Sequence, residues 1–286
     1  MTRAGEPSRT TLSCAEVWGG NRSTDTVVSL PGLEARVLSR PYRGQSAGGD
    51  VHYLSSCAFG RISRLLLADV SGHGDAVSGV AEGLRGLMRR SLNEVDQGRA
   101  FAALNREFSG LTKAGMFATA VMGTCWSPSG ELTLSNAGHP RPAYFEAATG
   151  RWTVLGGGPD PRIPPVDAAV SDVPLGIEAS STYTQSRLRL APGDLLLLYT
   201  DALTEARGES GRMIGESGLL ELLRGLGTPD HGTLLGRVES ALTGERGRPE
   251  DDLTMVLVRS TGAPPRMSAV EWVKGVGRLA GGWLGR

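Results

Sequence analysis

The sequence predicts an α/β sandwich in which antiparallel β-sheets are covered by helices. Three observations lead to this prediction. Some segments alternate apolar and polar residues or run continuously apolar, as strands do, and others repeat apolar residues at helical spacing. The two kinds of segment also occur in groups rather than in strict alternation, which favours antiparallel sheets with helices packed on them over a doubly wound parallel sheet.

The first elements are strands. Residues 1–30 are polar and rich in Ser, Thr and Gly, so we expect a loosely ordered leader, with the folded domain spanning residues 31–260. Leu33, Ala35 and Val37 alternate with polar neighbours, which predicts a half-buried strand. Residues 61–70 (RISRLLLADV) form a short apolar run, which is typical of a central strand.

The rest of the chain follows the same grouping. Two helical stripes come first, on residues 76–90 and 101–108, and four segments that read as strands follow, at 117–126, 131–139, 142–147 and 151–155. Residues 156–176 are dense in Gly and Pro and predict an irregular surface loop. We then expect a hairpin over residues 181–200 with a turn at Pro192–Gly193. Two helices are expected at 217–226 and 233–242, and a closing strand at 253–260.

The composition disfavours several classes of function and site. Lys plus Arg and Asp plus Glu both number 30, so no global field draws the protein to nucleic acid or to an anionic membrane. Three cysteines without C-x-x-C spacing predict neither a disulfide framework nor a thiolate zinc site. An N-terminus without an apolar segment, and no run of about 18 apolar residues, predict a cytoplasmic protein without a transmembrane segment.

Acidic residues recur at the ends of predicted strands. Asp69 follows LLLA, Asp201 follows LLLLYT, and Asp251 and Asp252 precede LTMVLV, while Asp50 follows two glycines. If these strands pack side by side, the carboxylates converge on one rim and repel one another unless cations neutralise them. Oxygen ligands suit hard ions such as Mg²⁺ or Mn²⁺. A single Asp at a strand end is more often a cap or turn residue, so the hypothesis depends on the whole set.

An ordered set of short motifs resembles one enzyme family. The motifs are GGD at 48–50, ADVSGHG at 68–74, FATA at 117–120, SNAGHPRP at 135–142, VPLGI at 173–177, GDLLLLYTDALTEAR at 193–207 and EDDLT at 250–254. Together they resemble the PPM-type (protein phosphatase 2C-like) serine/threonine phosphatases of the bacterial stage II sporulation protein E class. Each motif alone is weak, but the ordered set covers residues 33–259.

The resemblance implies a fold, a reaction and a ligand set. The fold would be a four-layer αββα sandwich of two antiparallel sheets flanked by helices. Two Mn²⁺ or Mg²⁺ ions would bind a water that attacks phosphoserine or phosphothreonine on a regulatory protein, for example an anti-sigma-factor antagonist of the STAS type. The metal ligands carried over are Asp50, Asp69, the Val70 carbonyl, Asp201 and Asp251.

Other residues of these motifs are candidates for contacts around the ligands rather than with the metals. Asp252 stands where the wider family often has Asn, so we expect no direct ligation from it. The remaining candidates are Gly49, His52, His73 and His139. A histidine between glycines or before a proline is more often a loop organiser than a proton donor, and His231 is expected at the surface.

Two departures from the family pattern support a rival interpretation. Ala202 replaces the usual Gly after Asp201, which adds a Cβ where the backbone could need a positive φ, and residues 51–53 (VHY) replace the common aromatic and acidic residues. The rival is a catalytically weak or inactive phosphatase-fold scaffold that acts by protein binding. The tail at 261–286 carries an apolar stripe typical of a short amphipathic helix, and the oligomeric state is left open, a dimer included.

Overall fold

A computed structural model describes residues 7–12, 16–57, 60–72, 75–90, 94, 96–111, 115–156, 172–208, 211–243 and 251–262. Thirteen strands and five α-helices are assigned in this part of the chain. The strands are β1 (Ser8–Thr11), β2 (Glu16–Gly20), β3 (Thr24–Leu30), β4 (Leu33–Arg40), β5 (Asp50–Cys57), β6 (Ile62–Val70), β7 (Ala118–Trp126), β8 (Glu131–Ala137), β9 (Ala143–Glu146), β10 (Arg151–Val154), β11 (Ser186–Arg189), β12 (Leu195–Tyr199) and β13 (Leu253–Ser260). The helices are α1 (Asp75–Arg90), α2 (Gln97–Leu111), α3 (Ala202–Glu205), α4 (Gly215–Gly225) and α5 (Leu234–Thr243).

The strands form two sheets. The seven-stranded sheet has the order β1-β3-β4-β13-β12-β9-β10, and the six-stranded sheet has the order β11-β8-β7-β6-β5-β2. Neighbouring strands pair antiparallel except β1 and β3, which are parallel. The prediction of antiparallel sheets is therefore confirmed, with one parallel pair at an edge.

Three apolar layers hold the sandwich together. The layer between the sheets contains side chains such as Val37, Leu67 and Leu198, which are 0–1% exposed. Helices α1 and α2 cover the outer face of the six-stranded sheet, and α4 and α5 cover the seven-stranded sheet. The four-layer αββα arrangement confirms the predicted fold class.

Local sequence explains the central strands and one turn. Strands β6 and β12 are apolar on both faces because each lies inside its sheet with a buried layer on either side. Gly193 has φ of 91°, and Asp194 N donates to Ala191 O at 3.0 Å, so Pro192–Gly193 forms the tight turn that its residues predict.

The structure corrects the expectation of a loosely ordered leader over residues 1–30. Residues 8–11, 16–20 and 24–30 form β1, β2 and β3, and Val27, Val28 and Leu30 are buried. Ser and Thr are frequent in this segment, as expected of strands that lie at or near sheet edges. Residues 1–6, the tail beyond Gly262 and the centre of the 156–176 loop lie outside the described residues.

Two smaller expectations are also wrong. His231 is only 6% exposed, and its ring lies between Leu257 O (3.1 Å from Nε2) and Glu34 Oε1 (3.2 Å from Nδ1), so it is not a surface residue. The last part of the predicted surface loop is buried at Leu175, which exchanges two backbone hydrogen bonds with Ala118. No helix in the described part of the chain is long and apolar enough to cross a bilayer.

Candidate metal and active site

The two sheets bring the predicted carboxylates to one rim. Asp50 begins β5 and lies directly opposite Asp69 in the β5–β6 register. In the seven-stranded sheet, Asp201 follows the end of β12, and Asp251 precedes the start of the neighbouring strand β13. Thr200 Oγ1 donates to Asp50 Oδ2 at 3.0 Å and so connects the two sheets at this point. The rim therefore gathers chain segments about 200 residues apart in sequence.

Asp69 is the centre of this cluster. Burial raises its pKa to about 8, and the negative charges of Asp201, Asp251, Asp252 and Glu205 act in the same direction. The charges that act most strongly on Asp69 are therefore all carboxylates. At neutral pH such a carboxylate is mainly protonated, and a cation beside it would favour the ionised form.

The pKa values of Asp50 and Asp201 are also raised. Burial raises the pKa of Asp50, and the charge of Asp69 raises it further, against hydrogen bonds from Thr200 and Thr254. Burial also raises the pKa of Asp201, which hydrogen bonds from the backbone and from Asp69 partly offset. One oxygen of Asp50, Oδ1, is buried without a hydrogen-bond partner in the described structure.

These observations match the needs of a hard divalent ion. The donors are oxygens, the charge is negative, and a buried carboxylate oxygen has no hydrogen-bond partner. In the part of the chain that the structure describes, no three His, Cys, Asp or Glu side chains already stand in a metal-holding arrangement. The residues therefore fit a metal by their chemistry and by the mutual influence of their charges.

Asp252 has a different task from its neighbours. Its Oδ1 accepts from Tyr42 N at 2.6 Å and its Oδ2 accepts from Gly49 N at 2.7 Å. Both oxygens thus hold the loop that leads into β5. A Cβ on Gly48 would lie 2.5 Å from Asp252 Oδ1, so this contact requires glycine.

The second glycine of the loop brings backbone oxygens close to the rim. A Cβ on Gly49 would lie 2.9 Å from Val70 O and 3.1 Å from Gly72 O. Gly49 O in turn accepts from Val70 N at 3.3 Å. The absence of a side chain at Gly49 therefore lets the Val70 carbonyl lie beside the loop that carries Asp50.

His139 is buried beside the carboxylate rim. The His139 backbone N–H donates to Asn136 Oδ1 at 2.7 Å, and its Nδ1 lies 2.8 Å from Thr119 Oγ1, where Thr119 is the register partner of Asp69. Burial lowers the pKa of His139 to about 3, so the ring is neutral. This geometry is that of a loop organiser.

His52 and His73 differ in what can be said of them. His52 is 2% exposed and its ring lies 5.2 Å from the Trp18 ring, centroid to centroid. Burial, helped by Arg85, lowers the pKa of His52 to about 4. His73 lies outside the described residues.

The backbone at Ala202 does not have the conformation that the glycine substitution suggested. Ala202 begins helix α3, and among the described non-glycine residues only Arg43 and Asp172 have positive φ. Asp201 O accepts from Thr204 N and Glu205 N at 2.8 Å, which closes the helical turn. A Cβ is therefore compatible with this position.

Sequence reasoning missed three residues of the site. Thr200 donates a hydrogen bond to Asp50, and Asn136 accepts one from the backbone N–H of His139. The charge of Glu205 contributes to the raised pKa of Asp69. Thr200 and Glu205 could have been found from their spacing, since they stand immediately before and four residues after Asp201. No signal in the sequence points to Asn136 apart from its place in the SNAGHP motif.

Comparisons with known proteins identify a family for most of the chain. Residues 61–261 match the model of the family described as stage II sporulation protein E (SpoIIE). Protein IcfG of Synechocystis is 32% identical over 108 residues, which are 38% of this chain and 15% of IcfG, so the chain spans a small part of that relative's length.

Solved structures share the fold at low identity. The RsbU and RsbW domains of Rv1364c from Mycobacterium tuberculosis give a TM-score of 0.63 at 22% identity over 87% of this chain and 68% of that one. The PP2C phosphatase domain of SpoIIE from Bacillus subtilis, with a fragment of its regulatory domain, gives 0.62 at 16% identity over 86% and 64%. RsbX in complex with magnesium gives 0.57 at 15% identity over 82% and 99%.

Proposed function

This chain belongs to the stage II sporulation protein E family, and from that membership we propose that it is a divalent-metal-dependent protein serine/threonine phosphatase. Membership of a family with PP2C-like phosphatase domains supports a phosphatase role in signalling. The observation that carries the metal-dependent chemistry is the convergence of Asp50, Asp69, Asp201 and Asp251 on one rim, where burial, together with the charges of Asp201 and Asp251, raises the pKa of Asp69 to about 8.

Two Mn²⁺ or Mg²⁺ ions would be held by Asp50, Asp69, Asp201, Asp251 and the Val70 carbonyl. When bound, such ions lower the pKa of water and place positive charge beside the phosphate oxygens. The magnesium complex of RsbX, a structure with the same fold, supports the choice of ion.

The chain's own residues position this site. Thr200 orients Asp50, and Asp252 fixes the Tyr42–Gly49 loop through two backbone N–H groups. Cys125 is 1% exposed, and burial raises the pKa of its thiol to about 11, so this thiol is no nucleophile.

The substrate we propose is phosphoserine or phosphothreonine on a regulatory protein, of which a STAS-type anti-sigma-factor antagonist is the form that the family resemblance favours. Its phosphate would approach the carboxylate rim from the open ends of β5, β6, β12 and β13, where Asp69 and Asp201 are only half-buried. Divalent cations held by these oxygen ligands would offset the negative charge of a phosphate ester.

Hydrolysis of p-nitrophenyl phosphate and of a phosphoserine peptide in Mn²⁺ tests the proposal, with Asp69→Asn as the inactive variant and Glu221→Gln as the control. Glu221 is exposed on α4, away from the rim. We expect activity that needs the metal, that falls by about 10³-fold or more in Asp69→Asn, and that is unchanged in Glu221→Gln. Folded wild-type protein without metal-dependent turnover would contradict the phosphatase proposal and favour the scaffold.

A further inference from the structure

A cavity with polar and apolar lining lies at the free edge of the six-stranded sheet, where β2 pairs with β5. We call it the edge cavity. It encloses about 270 Å³ between β2, the turn after it, β5 and helix α1. A water molecule takes about 30 Å³ of liquid volume, so the space accommodates a small ion with part of its hydration shell. Its lining residues that matter here are Trp18, Asn21, Arg22, Ser23, His52 and Arg85.

Hydrogen-bond donors reach this cavity from different elements. Arg85 on α1 uses Nη1 to donate to Gly19 O at 3.1 Å, and its other guanidinium N–H groups have no hydrogen-bond partner among the residues that the structure describes. Arg22 is exposed, and in the described part of the chain it forms no ion pair. The backbone N–H groups of Arg22 and Ser23 also donate no backbone hydrogen bond within the described residues.

One of the buried residues that line the cavity, His52, has an unsatisfied polar atom. His52 is 2% exposed, and its Nδ1 is buried without a hydrogen-bond partner among the described residues. A buried polar atom without a partner costs free energy, and such atoms often mark a missing ion or water. Glu82 on α1 is the acidic lining residue, and it leaves the two arginines in excess.

We propose that the edge cavity binds a tetrahedral oxyanion of the size of inorganic phosphate, held by Arg22 and Arg85 with the backbone N–H groups of Arg22 and Ser23. Guanidinium groups and convergent backbone N–H groups are the donors that proteins use for phosphate. The site is separate from the carboxylate rim, whose negative charge repels an anion when no metal is bound.

One residue joins the edge cavity to the loop that carries the proposed metal ligands. Asn21 is 5% exposed, its Nδ2 donates to Gly48 O at 3.2 Å and to Ser78 O at 3.3 Å, and its backbone O accepts from Gly48 N at 2.8 Å. Gly48 and Gly49 in turn contact Asp252. An anion that orders the turn at Arg22 therefore also acts on the position of the 48–50 loop.

Binding of inorganic phosphate to metal-free protein tests this site. The full chain, in EDTA and at constant ionic strength, is titrated with phosphate by calorimetry and by NMR of the Arg22, Ser23 and Gly48 amides. We expect saturable binding that shifts all three amides and weakens by about tenfold or more in Arg22→Gln and in Arg85→Gln. Arg61→Gln, an exposed arginine in the β5–β6 turn, is the control and should bind as the wild type does.

The outcomes separate this proposal from that of phosphatase activity, because phosphate binding is measured in EDTA and its result does not depend on whether the protein hydrolyses phosphate esters. Arg85→Gln loses a hydrogen bond to Gly19 and could unfold locally, so Arg22→Gln, which changes an exposed side chain, decides the test. Absence of saturable binding, shifts confined to other regions, or equal affinity in Arg22→Gln and Arg61→Gln would each overturn the proposal.

Discussion

At the scale of single residues, Asp69 shows how burial creates a demand for a cation. Its pKa of about 8 lies far above the usual value near 3.9 for an unfolded chain. Between these two pH values the folded protein without metal binds more protons than the unfolded chain does, so stability falls as the pH rises. The contribution is fully present below about pH 4 and is lost as the pH passes 8.

We therefore predict that Asp69→Asn is more stable than the wild type when metal is removed with EDTA, and that the difference grows from pH 5 to pH 8. Asparagine keeps the shape of the side chain but cannot ionise, so it escapes the repulsion of Asp201 and Asp251. Urea unfolding at pH 5, 7 and 8.5 measures the difference, with Glu221→Gln as the control. Parallel pH profiles for wild type and Asp69→Asn would show that Asp69 ionises without cost. Added Mn²⁺ should reverse the order, since only the wild type keeps the full ligand set.

Gly48 gives a second prediction at this scale. In Gly48→Ala the new Cβ would lie 2.5 Å from Asp252 Oδ1, so Asp252 must move away from Tyr42 N or Gly49 N. We expect a loss of about 1–3 kcal/mol of unfolding free energy and weaker metal binding. Gly79→Ala is the matched control, because a Cβ there meets nothing within 4 Å on an exposed face of α1, and it should raise stability by up to about 1 kcal/mol. Urea unfolding of both variants checks the pair, and a Gly48→Ala protein as stable as the wild type would contradict the contact.

At the scale of elements, patterns in sequence were most informative where an element is buried on a defined face. The apolar run of β6, the run of β12 and the stripes of α1, α4 and α5 lie where their periodicity predicts. Strands β1, β2 and β3 were missed because half of their residues are Ser, Thr or Gly, and strands at or near a sheet edge need few apolar side chains. Their place in a sheet depends on pairing with β4 and β5, which no local pattern encodes.

Helix α3 allows a test of whether Ala202, which stands where the family usually has Gly, impairs the site. Ala202 is helical and 5% exposed, so glycine at this position would gain no conformational advantage. We expect Ala202→Gly to lower the unfolding free energy by about 0.5–1 kcal/mol and to leave turnover within about twofold. Thermal unfolding and p-nitrophenyl phosphate hydrolysis measure the two effects. A large gain in turnover would mean that Asp201 requires a backbone that the alanine prevents.

At the scale of the whole molecule, the sequence predicts which acidic residues lie at strand ends. Whether these residues come close together depends on the topology of the two sheets. The sequence places Asp69 and Asp201 at strand ends, but only the stacking of two sheets brings Asp50 to Thr200. Asp252 illustrates the limit, since its two backbone partners lie in a loop more than 200 residues earlier. The position of His231 in a buried contact with Glu34 was likewise beyond local reasoning.

The N-terminal strands give the last prediction, since they decide where the folding unit begins. Removal of residues 1–30 would delete Val27, Val28 and Leu30, all buried, and would expose β4 and β5 as new edges. At about 1.5–3 kcal/mol for each buried side chain, the loss is comparable to the 5–15 kcal/mol that stabilises a typical domain. We expect the shortened chain to lose cooperative thermal unfolding in circular dichroism, while removal of residues 1–6 alone has no such effect because all described strands remain. An unchanged melting transition after removal of residues 1–30 would instead place the start of the folding unit at residue 31, since strands β1–β3 would then contribute nothing to its stability.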